Sequence, residues 1–401
     1  MNKIKKSGKA YGLINIIVGM MILSTPLLFG EEITKGLGES VVFPDLGIRR
    51  IKEYGMLLLV FLSVVFSIKH QNANKAYGLL PVLVSILLIV LINSSDVPLS
   101  IILCGMRWAL PFFLPVFLYE FVDGKMMACC YKTYTAIFFI HIASQIAELF
   151  LMPHYGGDTY FGLAARVPGI TPHPHASAYF SCLYYFLLII VEKRRLYKRI
   201  GTIAIALSLV LAMSSTGVLA FAIMFMMNYF RDSPHWKKII VLGPFVALIL
   251  VVNLDTLTNR KEGSSEQSME GRTEYLSKVL KHTTLISENF GYATNGAFLM
   301  NEQKGVKIKT DMFADSFYTS MLGNMGYIIT FVFMSFLIYM FHQLFIKNRK
   351  DQLIFLIFIM LFGISEIITE VFPGNLVIPI IIAYFMKFPR KENINLTKNY
   401  C

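Results

Sequence analysis

The sequence predicts an all-α polytopic integral membrane protein, a single transmembrane domain over residues 1–401 with about twelve transmembrane helices and a long extracytoplasmic loop containing short helices. Three observations point that way. Of 401 residues, 55% are hydrophobic and 15% charged, against roughly 25% charged in an average soluble domain. Apolar runs of membrane-spanning length recur from end to end, which excludes a soluble domain with one anchor. The Lys and Arg residues cluster between those runs in the manner of a membrane protein's sided loops.

Taken in order, runs bounded by charges and turn residues predict helices at 11–29, 54–68, 77–93, 98–121, 133–151, 176–191, 200–214, 217–230, 239–254, 322–345, 352–368 and 376–387. The first follows Lys3, Lys5, Lys6 and Lys9 but has no evident small-x-small cleavage site, so it is expected to be a retained helix rather than a signal. The runs at 352–368 and 376–387 are short enough to be a broken pair.

Alternating sides puts 23 of the 37 Lys and Arg on the face that carries the N-terminus, 13 on the other face and Arg107 inside a span. The basic inward loops include Lys193-Arg194-Arg195-Leu196-Tyr197-Lys198-Arg199, whereas the short outward loops at 94–97, 214–217 and 369–375 hold no Lys or Arg. Both termini are therefore expected in the cytoplasm. The formal charge of +12 reads as an orientation signal with some attraction to anionic lipid, not as a nucleic-acid footprint. The inward loops are too short for a nucleotide-binding domain, and no Walker-type phosphate loop occurs. Longer segments face outward, near 30–53, 152–175 and 255–321, so chemistry is expected there. Cys104, Cys129, Cys130, Cys182 and Cys401 avoid the longest polar stretch and form no Cys/His cluster with metal-site spacing.

Several residues stand out within this frame. Arg107, in Cys104-Gly105-Met106-Arg107-Trp108, lies about 15 Å below the outer end of its helix by helical rise. A guanidinium at that depth either pairs structurally, with Glu148 or a carbonyl, or lines a polar cavity, and His141 lies at similar depth in the next helix. Arg166, His173 and His175 belong to Ala165-Arg166-Val167-Pro168-Gly169-Ile170-Thr171-Pro172-His173-Pro174-His175-Ala176, a segment that its prolines keep irregular yet stiff. It enters a helix N-terminus, a position suited to an anion. Its bland alternative is a capping linker. The long loop opens with Asn259-Arg260-Lys261 and passes to Gly271-Arg272-Thr273-Glu274-Tyr275-Leu276-Ser277-Lys278-Val279-Leu280, whose spacing suits an amphipathic helix against the bundle. Phe290-Gly291-Tyr292-Ala293-Thr294-Asn295-Gly296 reads as a turn, and Asp311 and Asp315 precede the next helix as caps or as chemistry. Arginine forks bind phosphoryl oxygens, and a carboxylate or imidazole can deprotonate a hydroxyl. That inventory suits transfer from a lipid diphosphate and is compatible with anion transport.

The pattern resembles the O-antigen polymerase and ligase superfamily of membrane glycosyltransferases. The resemblance rests on Arg166…Gly169…Pro174…Ala176, Gly271-Arg272, Phe290-Gly291 and Asp315-Ser316-Phe317-Tyr318…Gly323…Gly326, in that order and spacing. It implies polymerisation of undecaprenyl-diphosphate-linked repeat units in the outer leaflet of the bacterial inner membrane, for O-antigen or capsule, without a cofactor or metal. Its implied partners are lipid-linked glycan donor and acceptor, membrane lipid and a chain-length regulator. On this resemblance Arg166 and Arg272 grip the donor, Arg107 lies in the lipid-phosphate cavity and Asp315 is the base, while His173, His175, His141 and Arg260 are substrate-binding candidates from their own placement in the sequence. The ligase branch, which transfers glycan to lipid A core, has histidine where this chain has Asp315, which favours the polymerase. Relatives often carry an arginine beside the serines of a turn like Met213-Ser214-Ser215-Thr216-Gly217, and none occurs here. A transporter or flippase is the alternative from another class.

Overall fold

The computed structural model describes residues 8–25, 51–70, 80–93, 96–151, 159–160, 163–164, 167–171, 173–229, 264–297, 312, 314 and 316–388. Within them the chain is almost wholly helical. The helices are α1 (Gly8–Leu23), α2 (Ile51–His70), α3 (Leu80–Asn93), α4 (Leu99–Leu118), α5 (Gly124–Leu151), α6 (Pro174–Val191), α7 (Arg195–Ala212), α8 (Ser215–Tyr229), α9 (Ser264–His282), α10 (Phe317–Ile346), α11 (Lys350–Ser365) and α12 (Gly374–Lys387). Two short strands, Thr159–Tyr160 and Leu163–Ala164, pair antiparallel between α5 and α6.

The expectation of about twelve transmembrane helices is overturned. Among the described residues four helices are long and apolar enough to cross a membrane, Leu99–Leu118, Gly124–Phe150, Pro174–Val191 and Phe317–Ile346, and these mark the chain as membrane-associated. Other apolar helices are shorter, among them Tyr11–Leu23, Val84–Asn93, Thr216–Asn228 and Gly374–Lys387. The 14 residues of α12 rise about 21 Å, short of a hydrocarbon core about 30 Å thick. Apolar composition overcounts spans because it does not distinguish lipid contact from protein burial. Helix α12 makes the point: ten of its fourteen residues, among them Leu376, Val377, Ile380 and Ile381, are buried, and it packs along α4. The predicted helix at 239–254 lies outside the described residues.

Local chemistry sets several boundaries. Ser316 and Thr319 form a capping box that opens α10, with Thr319 N–H donating to Ser316 Oγ at 3.2 Å. Met213 ends α7 in the left-handed conformation (φ 47°). Ser214 Oγ then accepts from Gly217 N–H at 3.3 Å and starts α8, giving a tight reversal.

Polar contacts join the helix ends into two distinct faces. At one end, Tyr131 of α5 donates to Glu192 at the C-terminus of α6, Lys350 of α11 donates to the Asn228 carbonyl of α8, and Lys387 of α12 donates to the Glu120 and Val122 carbonyls beyond α4. Lys125, Lys132, Lys193, Arg195, Lys198, Lys347 and Arg349 are in the same terminal segments. This end is basic. Burial by itself would raise the Glu192 carboxyl, but donation from the Arg194 side chain and backbone and from Tyr131 prevails and holds it at about 2. The opposite end carries the N-terminus of α6, the start of α4, the α7–α8 reversal and the α11–α12 connection.

Candidate functional site

The second end gathers three irregular segments, each fixed by specific side chains. The first is 283–297, which follows α9. Asn93 at the end of α3 accepts from Phe290 N–H at 3.1 Å and donates to the Ser287 carbonyl at 2.8 Å. Asn324 of α10 accepts from Gly291 N–H at 2.8 Å and donates to the Ala293 carbonyl at 3.0 Å. The segment expected as an exterior turn is thus a buried wedge between helices: Phe290, Ala293 and Thr294 are wholly enclosed. Helix α10 breaks to receive it. Gly326 adopts φ 83°, ψ 175°, and the amides just past it, Tyr327 and Ile328, donate to the Thr284 and Leu285 carbonyls at 3.1 Å. A Cβ on Gly326 would lie 2.7 Å from Ser287 N and 2.8 Å from Leu285 O.

The second segment connects α11 to α12 and holds two buried carboxylates four residues apart, Glu366 and Glu370. Glu370 accepts from Asn295 N–H at 2.8 Å and lies 4.0 Å from the Arg107 guanidinium of α4, its side chain 2% exposed against 30% for Arg107. Burial pushes the Glu370 carboxyl above its ordinary value, against the opposing pull of Arg107 and the Asn295 and Gly296 amides. Around this connection, among the described residues, Glu370 Oε1, Ser365 Oγ, Thr369 Oγ1, Asn375 Oδ1 and the Tyr179 hydroxyl are buried without a hydrogen-bond partner. Each such atom costs about 1–3 kcal/mol if nothing polar meets it.

The third segment leads into α6. His173 is the N-cap, its Nδ1 3.2 Å from Ala176 N and 3.4 Å from Glu366 Oε1, and its side chain is 48% exposed. His175 Nδ1 lies 3.2 Å from Ser214 Oγ. Further in, Gly169 takes φ 64°, its N–H donates to Glu148 at 2.9 Å, and a Cβ there would lie 2.6 Å from His141 Nδ1. His141, Gln145, Ser177 and Ser208 form a closed polar network.

The residues singled out from sequence fare differently. Arg107, His173 and His175 all lie at this end, and the first two meet the carboxylates of one connection. His141 is fully buried, with Nε2 3.0 Å from Ser177 Oγ. Glu148, offered as a partner for Arg107, is engaged by Gly169 instead. Arg272 falls midway along α9 rather than near its start. Asp315, Arg166 and Arg260 lie outside the described residues. Sequence reasoning missed Glu366 and Glu370. Their signal was two acids in Ser365-Glu366-Ile367-Ile368-Thr369-Glu370, an apolar stretch with no basic residue nearby. Among the described residues no group of three His, Cys, Asp or Glu is placed to hold a metal ion. Comparisons with protein-family models, curated proteins and solved structures found nothing that matches this chain.

Proposed function

We propose that the protein is a membrane glycosyltransferase acting on glycans carried by a lipid diphosphate, extending one lipid-linked repeat unit with the glycan of another. One observation carries this reading: a partly exposed Arg107 beside buried Glu370, set among buried oxygens without internal partners, at one end of an apolar bundle. A guanidinium held there by a carboxylate can receive phosphoryl oxygens and neutralise charge on a departing diphosphate. Unsatisfied hydroxyl, amide and carboxyl oxygens are the complement of a polyhydroxylated substrate. A polyprenyl tail would lie along the apolar helices while its headgroup meets this end.

In this reading the basic end faces the cytoplasm of a bacterial inner membrane, following the sided distribution of Lys and Arg, and both termini are on that side. Asp315, Arg166, Arg272 and Arg260 remain candidates for donor gripping and base chemistry from the sequence resemblance. A capsule or O-antigen repeat unit is the substrate class, and a chain-length regulator is a candidate partner.

The decisive experiment is incubation of purified protein, in lipid nanodiscs, with undecaprenyl-diphosphate-linked repeat units and no nucleotide sugar. Products two or more repeats long, with release of undecaprenyl diphosphate, support the reading. Transfer onto lipid A core without lengthening indicates a ligase. A second reading, ion-coupled transport of the precursor, draws on the same buried Glu366 and Glu370 in a break between short apolar helices. Movement of labelled precursor across proteoliposomes without lengthening would establish it instead.

A further inference from the structure

Only part of the apolar side of α9 lies against the bundle. Val279 is fully buried there, and a Cβ on Gly323 of α10 would lie 3.6 Å from its Cγ1. Leu276 and Leu280, a helical turn apart on the adjoining stripe, are exposed. Past the end of α9 the exposed apolar surface goes on through Leu285, 67% exposed, and Ile286. It then runs into α10. Ile328 N–H donates to the Leu285 carbonyl at 3.1 Å, and the Tyr327 hydroxyl donates to the Leu280 carbonyl at 3.2 Å. From that point α10 exposes Ile328, Phe331, Val332, Phe336 and Tyr339 at three- and four-residue spacing. Of the four described helices able to cross a membrane, α10 is the least covered by protein, so this stripe is its lipid contact. The part of α10 beyond the break, residues 327–346, rises about 30 Å, the thickness of a hydrocarbon core. Lys347 and Arg349 follow at its far end. Its first turn therefore stands at the edge of the core, and Leu280, Leu285 and Ile286 stand beside it.

We propose that α9 and residues 285–286 are an interfacial anchor whose partner is the membrane surface at the end of the bundle that carries Arg107 and Glu370. Leu276, Leu280, Leu285 and Ile286 enter the edge of the hydrocarbon next to α10. At 100° per residue, Glu274, Lys278 and Lys281 fall on the opposite side of α9, where Glu274 and Lys278 pair at 2.8 Å and Lys281 is exposed. Apolar on one side and charged on the other, α9 has the division of a helix that lies in the plane of a bilayer interface. The anchor draws on membrane association alone and is independent of the glycosyl-transfer reading. It is tied to the site by a short path: Asn93 and Asn324 pin Phe290 and Gly291, and Asn295 N–H meets Glu370. Seating α9 on the bilayer thus holds the Arg107–Glu370 end at a fixed depth.

Spin labels on the full chain in phosphatidylcholine–phosphatidylglycerol nanodiscs test the anchor. Leu280→Cys, Leu285→Cys and Lys281→Cys are labelled one at a time in protein carrying Cys129→Ser and Cys401→Ser, since Cys104, Cys130 and Cys182 are buried. Each label's collisions with oxygen, which concentrates in lipid, are compared with those of a water-soluble nickel chelate. At 280 and 285 oxygen collisions are expected to exceed nickel collisions, and at 281 the order is expected to reverse. An excess of nickel collisions at both leucine positions overturns the insertion. Labels at 280 and 285 that are immobilised and shielded from both reagents also overturn it, in favour of a protein cover such as a second copy or another segment of the chain. Hydrogen exchange gives a readout without labels. The Leu276→Ser, Leu280→Ser double variant is expected to exchange faster across α9 in nanodiscs with α11 and α12 unaffected, and unchanged exchange in α9 overturns the anchoring role of these leucines.

Discussion

Arg107 and Glu370 approach to 4.0 Å, a guanidinium from the long helix α4 and a carboxylate from the connection into α12, the helix that packs along α4. The carboxylate is enclosed and the guanidinium is not. Removing the cation therefore strands a buried anion, whereas removing the anion leaves a cation that water reaches.

Arg107→Ala is expected to destabilise the protein by about 1–3 kcal/mol, less than the ~3–5 typical of a fully buried pair because Arg107 is partly solvated. Glu370→Gln should recover much of that loss in the double variant. Thermal unfolding in detergent at fixed pH, on all four proteins, checks both.

The same pair gives a pH dependence. Burial raises the Glu370 carboxyl, so the folded state holds its proton more tightly than the unfolded chain. Its contribution to stability is then present at low pH and declines as pH rises past the ordinary carboxylate range. Arg107→Ala should steepen that decline, being better tolerated at pH 5 than at pH 8, and Glu370→Gln should flatten it. Unfolding midpoints across that interval measure the slope.

Glu192, at the basic end, has the opposite sign. Its carboxyl is held at about 2 in the folded protein, so its stabilising contribution is complete above the ordinary carboxylate value and is lost as pH falls from there toward 2. Glu192→Gln should remove this part of the acid sensitivity, and acid titration of helical circular dichroism would show a shallower transition.

Gly326→Ala is expected to cost about 1–3 kcal/mol or more, since alanine at φ 83° is strained and its Cβ meets the backbone of residues 285–287. Limited proteolysis should then cut near 283–297 faster than in the wild type.

Asn324→Ala tests the wedge from its other side. It removes the acceptor for Gly291 N–H and the donor to the Ala293 carbonyl, and leaving such groups buried costs about 1–3 kcal/mol each. Faster hydrogen exchange confined to residues 287–297 and the adjoining turn of α10 is the expected signature.

How far the sequence reaches differs between elements. Arg107 was legible because a guanidinium in an apolar run must find a partner, though not which one. The partner was hidden because 369–375 looked like a short loop defined by having no Lys or Arg, a criterion blind to Glu370. Phe290-Gly291 was legible as a turn, but its burial was not, since the asparagines that hold it, Asn93 and Asn324, are separated from it by 197 and 33 residues. The count of membrane-crossing helices failed for a related reason: α12 is too short to cross and is apolar because protein surrounds it, and its composition carries no record of which neighbour does so.

The break at Gly326 also bears on how the chain is assembled. Tyr327 and Ile328 direct their amide protons to carbonyls of residues 284 and 285, which lie outside α10. Carbonyls from outside the helix thus take amides that the break releases, so the bend in α10 and the path of residues 283–297 specify each other, and neither is set by its own stretch of chain.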